Sequence, residues 1–363
     1  MNPVPLRTVL REWGRIGCIG FGGPPTHIAL LRDLCVRRRR WLTGEDFENA
    51  IAACNLLPGP ASTQLAIYCA WRLRGRVGAL VGGLAFIVPG LVLIIGLSAV
   101  FLAGSPPTWV LGAGAGAGAA VAAVAVRAGG SLVPASWTRV ASRARWAVYL
   151  VAGGVAAALA GPWVVLVLLG CGGIELLLHL RSTAVMSVGG LAWVAFKIGA
   201  LSYGGGFVIV PLMQADAVHH YHWMTSGQFL NAVALGQVTP GPVVQTVAAV
   251  GYAAHGIEGA LLAAAIAFSP SFLFILGGGV RFDRIRRDDR ARAFLDGAGP
   301  AAIGAILGVA VPLARALHET WQFGVLAAAA VLLLLVRRGI VETLLLAGVA
   351  GVIAAAAGAP LPH

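Results

Sequence analysis

Charge is what this chain has least of. Asp, Glu, Lys and Arg make up 11% of its 363 residues, where soluble domains carry roughly 25%. So little charge cannot cover a water-facing surface, which excludes an ordinary soluble globule. Lysine is nearly missing: Lys197 is the only one, beside 25 arginines. The five cysteines, Cys18, Cys35, Cys54, Cys69 and Cys171, show no metal-type spacing and sit in or beside apolar segments, so they read as small packing residues. The chain also lacks HExxH, GxSxG, a P-loop and a cysteine pair. It therefore reads as a non-enzyme with no metal site and no cofactor. Its first twenty residues carry Arg7, Arg11, Glu12 and Arg15 and no clean apolar core, so no cleavable signal peptide is expected.

What is present in excess is apolar. Hydrophobic residues make up 58% of the chain, and its mean hydropathy is +0.85. Runs long enough to span a bilayer are clear at 77–103, 109–126 and 259–280. Shorter ones follow at 146–161, 162–180, 294–316, 323–336 and 340–357. Fifty glycines suit close helix packing in lipid, and the run GAGAGAGAA at 112–120 reads as a tight helix crossing. The net charge of +12 does not point to nucleic acid. The arginines cluster at the ends of apolar runs, as in the cytoplasmic loops of a multi-pass protein of the inner (plasma) membrane.

The chain also contains itself twice, about 182 residues apart. Phe21-Gly22-Gly23-Pro24 aligns with Tyr203-Gly204-Gly205-Gly206, Trp41 with Trp223, and Pro58-Gly59-Pro60 with Pro240-Gly241-Pro242. Between Arg15/Lys197 and Pro60/Pro242 no gap is needed, and roughly fifteen of about 46 pairs are identical. With one residue skipped after Pro60, Gln64 meets Gln245, Gly75 meets Gly256 and Pro89 meets Pro270. The loops before Trp41 and around Gly75 are rich in arginine, whereas their counterparts hold His219-His220-Tyr221-His222 and His255. Such asymmetry places the two loop pairs on opposite sides of the membrane. The expected fold is an all-α integral membrane protein of two homologous halves, 1–183 and 184–363. The halves have inverted topology, with broken or re-entrant helices meeting near the midplane. Segment 45–71, between two basic loops, reads as a hairpin bent at Pro58-Gly59-Pro60.

The breaks carry the chemistry. A residue before proline avoids helical geometry, and proline suits a first helical turn, so each Pro-Gly-Pro ends one helix and begins another. Irregular backbone at membrane depth is tolerated only where protein buries it or where it lines a wet cavity. The helix N-termini made there favour an anion. Asn55, Ser62, Thr63 and Gln64 flank the first break; Gln237, Thr239, Gln245 and Thr246 flank the second. His27, in the helical turn after Gly22-Gly23-Pro24, could carry a proton, bind the anion or simply be a satisfied polar group. Lys197 and Arg15 each stand six residues before the aromatic of their motif in an apolar stretch. There each is either a site cation or a snorkelling side chain. The candidate site thus comprises Arg15, Gly22, Gly23, His27, Asn55, Pro58, Gly59, Pro60, Ser62, Thr63, Gln64, Lys197, Gly204, Gly205, Gln237, Thr239, Pro240, Gly241, Pro242 and Gln245.

At these residues the chain resembles the chromate ion transporter family, in its long two-repeat form. The resemblance rests on Gly20-Phe21-Gly22-Gly23-Pro24, the arginine run into Trp41, and Leu57-Pro58-Gly59-Pro60 with Gln64. It continues through Phe196-Lys197-Ile198-Gly199, Pro211, Trp223, Thr239-Pro240-Gly241-Pro242 and Gly251. It implies export of chromate or a sulfate-like oxyanion, driven by the proton motive force or by anion exchange. Some members carry acidic residues where this chain has Leu34 and Arg37, Ala61, and Gln237, which leaves the coupling ion open. A homodimer is compatible with this reading. Leucine at Gly59 or Gly241 is expected to damage transport more than leucine at Gly83, because only the former crowd the broken backbone. Two alternatives stand: a carrier of sulfate or another small anion, and a membrane-embedded enzyme using the His219-His220-Tyr221-His222 cluster as a metal site.

Overall fold

A computed structural model describes residues 4–21, 23–54, 60–102, 106–138, 142–159, 164–180, 209–278 and 289–361, and every regular element among them is helical. That follows from the solvent: in lipid a helix satisfies its own backbone, and an open strand does not. Helix α1 (Leu6–Ile19) buries Val9, Glu12, Trp13, Ile16 and Gly17 along one face. Helix α2 (Pro24–Arg32) begins on a proline behind Gly23, whose φ is 75°, and passes into a π-helical turn, Asp33–Arg38. After α3 (Gly44–Cys54) comes α4 (Ala61–Phe101), which is two helices joined by a sharp turn at Arg74 and Gly75.

The two arms of α4 fold back on each other. Gly78 and Gly82 face Ala70, and Gly83 is wedged between Ile67 and Phe272. The expectation for Gly83 is therefore corrected: a Cβ there would stand 2.5 Å from the Phe272 ring. At 1.5 Å per residue the first arm, 61–73, rises about 20 Å, too little for a hydrocarbon core of about 30 Å. The second arm, 76–101, is long enough. Helix α1 lies across both arms: Trp13 Nε1 donates to the Ala66 carbonyl at 2.8 Å, and Gly17 packs on the Phe86 backbone.

The second half repeats this. Helix α8 (Ile209–Gln214) passes into a π-helical turn, Ala215–His220, followed by α9 (Ser226–Val238). A 3-10 turn (Val243–Gln245) leads into α10 (Thr246–Gly278), which turns sharply at His255 and Gly256. Arg74 and Gly75 have φ of −144° and 58°; His255 and Gly256 have −147° and 58°. Both π-helical turns close on a residue with φ 52°, Arg40 and His222. In each, the following tryptophan N–H donates back at 2.8 Å, to Cys35 and to Ala217. Thr43 and Thr225 cap the next helices alike.

The remaining helices complete each half's scaffold. They are α5 (Thr108–Trp137), α6 (Arg143–Leu159), α7 (Val164–Leu180), α11 (Asp289–Gly308), α12 (Ala310–Arg315), α13 (Thr320–Ala330, then a π-helical turn Val331–Leu335) and α14 (Ile340–Ala356). The glycine run makes the crossing expected of it. Gly112 and Gly116 abut Gly351 and Ala347 of α14, while Gly114 and Gly118 abut Asn231 and Leu230 of α9. Among the described residues, four helical stretches are long and apolar enough to cross a membrane: Ala61–Phe101, Thr108–Pro134, Val243–Gly277 and Asp296–Arg315. Where the sequence shows one run at 294–316, the helix divides at Val309 into α11 and α12.

Candidate functional site

The second break is fully described. Thr239, which precedes Pro240, is extended with ψ of 143°, as the proline rule requires, and Pro242 is extended too, with ψ of 135°. Gly241 has φ 109°, a region that only glycine enters without strain. Residues 239–246 are all buried. Helices α9 and α10 meet tightly beside this break, where Gly236 lies against Thr246.

The first half reaches into it. The Gly20 carbonyl, at the end of α1, accepts from the Gly241 N–H at 3.1 Å and from His27 Nε2 at 2.8 Å. A carbonyl only accepts, so Nε2 carries the ring proton and Nδ1 is left to accept. Ser62 Oγ, 3.2 Å from Nδ1, supplies the donor. His27 is wholly buried and sits edge-on to Phe86, ring centroids 5.0 Å apart. It thus braces α2 against α4. From the other side, Gln245 Nε2 donates 2.8 Å to the Ile87 carbonyl, two residues before Pro89. Gly90 completes the crossing, because a Cβ there would overlap the Pro240 carbonyl.

Around these braces lie polar atoms with nothing to bond. Thr63 Oγ1, Gln237 Nε2, Thr239 Oγ1 and Gln245 Oε1 are buried there without a hydrogen-bond partner, and so is Ser271 Oγ, which follows Pro270 on α10. Each such group costs about 1–3 kcal/mol, so a concentration of them at broken backbone points to a ligand. Three hydroxyls and one amide nitrogen can donate to an anion. Gln245 differs: one of its two N–H groups is taken by Ile87, and its free oxygen suits a water or a protonated oxyanion. The N–H groups of the first turn after Pro60 add to the positive potential.

Of the residues expected at the site, Gly23, His27, Pro60, Ser62, Thr63, Gln64, Gln237, Thr239, Pro240, Gly241, Pro242 and Gln245 fall on these two breaks and the helices that flank them. Arg15 does not join them: it is exposed on the face of α1 opposite Trp13. Gly22, Asn55, Pro58, Gly59, Lys197, Gly204 and Gly205 lie outside the described residues. The structure adds Gly20, Phe86, Gly90 and Ser271. Gly90 and Ser271 were findable, because each directly follows one of the paired prolines Pro89 and Pro270. At the His-rich loop, His222 Nδ1 is occupied by the Val218 carbonyl at 2.8 Å, and no metal-type cluster occurs among the described residues. Glu175 pairs with Arg145 at 3.2 Å and accepts from the Tyr149 hydroxyl at 3.2 Å, away from the breaks.

A family profile described as "Chromate transporter" matches twice, over residues 7–176 and 189–356. The chain belongs to the chromate transporter family. A chromate transport protein of Cupriavidus metallidurans is 31% identical over 335 residues, covering 85% of this chain and 83% of the relative. A probable chromate transport protein of Synechococcus elongatus is 28% identical, covering 96% of this chain and 95% of the relative. A chromate transport protein of Pseudomonas aeruginosa is 29% identical, covering 87% of this chain. No solved structure matches the chain. With its apolar helices, this member of the chromate transporter family is a multi-pass membrane protein.

Proposed function

We propose that the protein is a secondary transporter that exports chromate across the inner membrane by alternating access, driven by the proton motive force or by anion exchange. The halves 1–183 and 184–363 are inverted copies, and the anion is held where their breaks meet. One observation carries this reading: the Gly241 N–H bonded to the Gly20 carbonyl, which joins a break of one half to a break of the other amid unpartnered buried donors. The names of the relatives supply the cargo. Short helices support the re-entrant arrangement, since α3, α9 and the first arms of α4 and α10 are each too short to cross alone. Lys197 supplies the positive charge of the site. Gly22, Asn55, Pro58, Gly59, Gly204 and Gly205 complete its wall.

Neutral hydroxyl and amide donors read shape and charge rather than the central atom, so sulfate competes. The test is flux of labelled chromate and sulfate in vesicles containing the protein, with and without a pH gradient. Chromate flux above that of empty vesicles, inhibited by excess sulfate, is the expected result. Flux equal to that of empty vesicles for both anions overturns the reading. Flux unchanged by a pH gradient, but strictly dependent on an anion on the opposite side, selects exchange over proton drive.

A further inference from the structure

Helices α5, α12 and α13 enclose a groove of about 530 Å³ lined by Val126, Ala314, Phe323, Leu326 and Leu334 among others. It follows α13 from Phe323 to Leu334, a length of about 16 Å. Its level in the bundle is fixed from both ends of α5: Gly129 abuts Leu307, and the Ala115 carbonyl accepts from Gln322. Every lining residue is alkyl or aromatic except Arg315. Arg315 is exposed at the end of a stretch apolar enough to span the membrane. The ion pairs of the described residues, Arg32–Glu48, Arg39–Glu12, Arg72–Asp46, Arg145–Glu175 and Arg338–Glu342, do not include it.

An exposed guanidinium on an apolar groove, without a carboxylate partner, invites an anion. A free tetrahedral dianion would give up its hydration here for a single partner, which does not repay desolvation. An amphiphile with one anionic head and an alkyl tail fits both parts of the groove. Guanidinium binds a phosphate through two parallel N–H donors. We propose that this groove binds an anionic phospholipid, with an acyl chain between α5 and α13 and its phosphate on Arg315.

The test is native mass spectrometry of the detergent-solubilised protein titrated with phosphatidylglycerol and with phosphatidylcholine of the same acyl chains. The wild type is expected to retain phosphatidylglycerol preferentially, and Arg315→Gln to lower that affinity about tenfold, the effect of losing a charge-assisted bond. Arg315→Lys keeps most of the preference, and Ala314→Phe, which fills the groove, lowers retention of both lipids. Arg76→Gln, an exposed arginine next to the turn of α4, leaves the preference unchanged. Equal retention of both lipids by the wild type, or an undiminished preference in Arg315→Gln, overturns the proposal. So does displacement of the lipid by sulfate, which would make the occupant a free inorganic anion. If Arg315→Gln fails to fold, unaltered retention in Ala314→Phe overturns it independently.

Discussion

Arg40 and His222 both stand at φ 52°, each closing a π-helical turn and each followed by a tryptophan whose N–H donates back into that turn. The two loops nevertheless carry different charge. The first is Arg37-Arg38-Arg39-Arg40 and the second His219-His220-Tyr221-His222. Arg39 pairs with Glu12 at 2.6 Å and lies 5.7 Å over the Trp41 ring, whereas Arg37, Arg38 and Arg40 enter none of the ion pairs among the described residues. Main-chain hydrogen bonds hold this motif, and they are indifferent to the side chains. The charges are therefore free to record something else, and in a membrane protein the natural content is orientation. The same contrast recurs at the sharp turns, where Arg74-Gly75 and His255-Gly256 share dihedral angles but not charge.

The test that breaks this comparison most completely is sidedness. In a Cys18→Ser background, which removes the exposed thiol, Arg76→Cys and Glu258→Cys mark the two equivalent turns. A membrane-impermeant maleimide applied to intact cells is expected to label the second and spare the first. Labelling of both, or of neither until the cells are opened, would make the halves parallel and end the inverted reading. Next in size is the pair of cations. Lys197→Ala is expected to abolish chromate flux with normal membrane insertion. Arg15→Ala, at an exposed position, should change it no more than about twofold, since surface substitutions usually cost within 0.5 kcal/mol. Equal losses in both would put Arg15 back in the pathway.

A smaller contrast separates glycines that hold the breaks together from those that do not. Gly90→Leu drives a side chain into the Pro240 carbonyl, whereas Gly96 has open space around it. Displacement of about 1 Å at a site can cost a hundredfold, so flux through Gly90→Leu should fall by about that much and Gly96→Leu should be near wild type. Measuring the amount of inserted protein beside the flux distinguishes a misplaced site from a lost fold. Similar flux in the two variants would mean that the crossing at Gly90 has no part in transport.

The sequence exposed the breaks because proline and glycine announce them, and the repeat doubled the signal. Hydrophobicity likewise outlined the spans, although the run at 294–316 concealed a division at Val309, where Pro312 has no N–H to give the Gly308 carbonyl. The loop read around Gly75 is the sharp turn inside α4, but the packing of its two arms was not legible. Arg72, Arg74 and Arg76 looked like a loop between spans, and nothing in the residues said that the arm before Gly75 folds back beside the arm after it. Gly83 was misjudged for that reason, since its neighbours Ile67 and Phe272 come from the other arm and the other half. The exposure of Arg15 is legible in the helical spacing of α1. Val9, Glu12, Trp13 and Ile16 recur at helical spacing, and Arg15 falls off that face.

The finest test of the comparison returns to the turns themselves. Gly75 and Gly256 have the same φ of 58°, with ψ of −148° and −146°, a region that is essentially reserved to glycine. A Cβ at either position meets nothing within 4 Å. Alanine there introduces no clash, so its whole cost is backbone strain, about 1–3 kcal/mol. If the backbone is truly shared and charge is independent of it, Gly75→Ala and Gly256→Ala should destabilise the detergent-solubilised protein equally, despite the arginine beside one and the histidine beside the other. Thermal unfolding followed by helical circular dichroism reads this directly. A markedly larger loss for Gly75→Ala would show that arginine repulsion already loads that turn, and the separation of fold from charge would fail where the two halves are most alike.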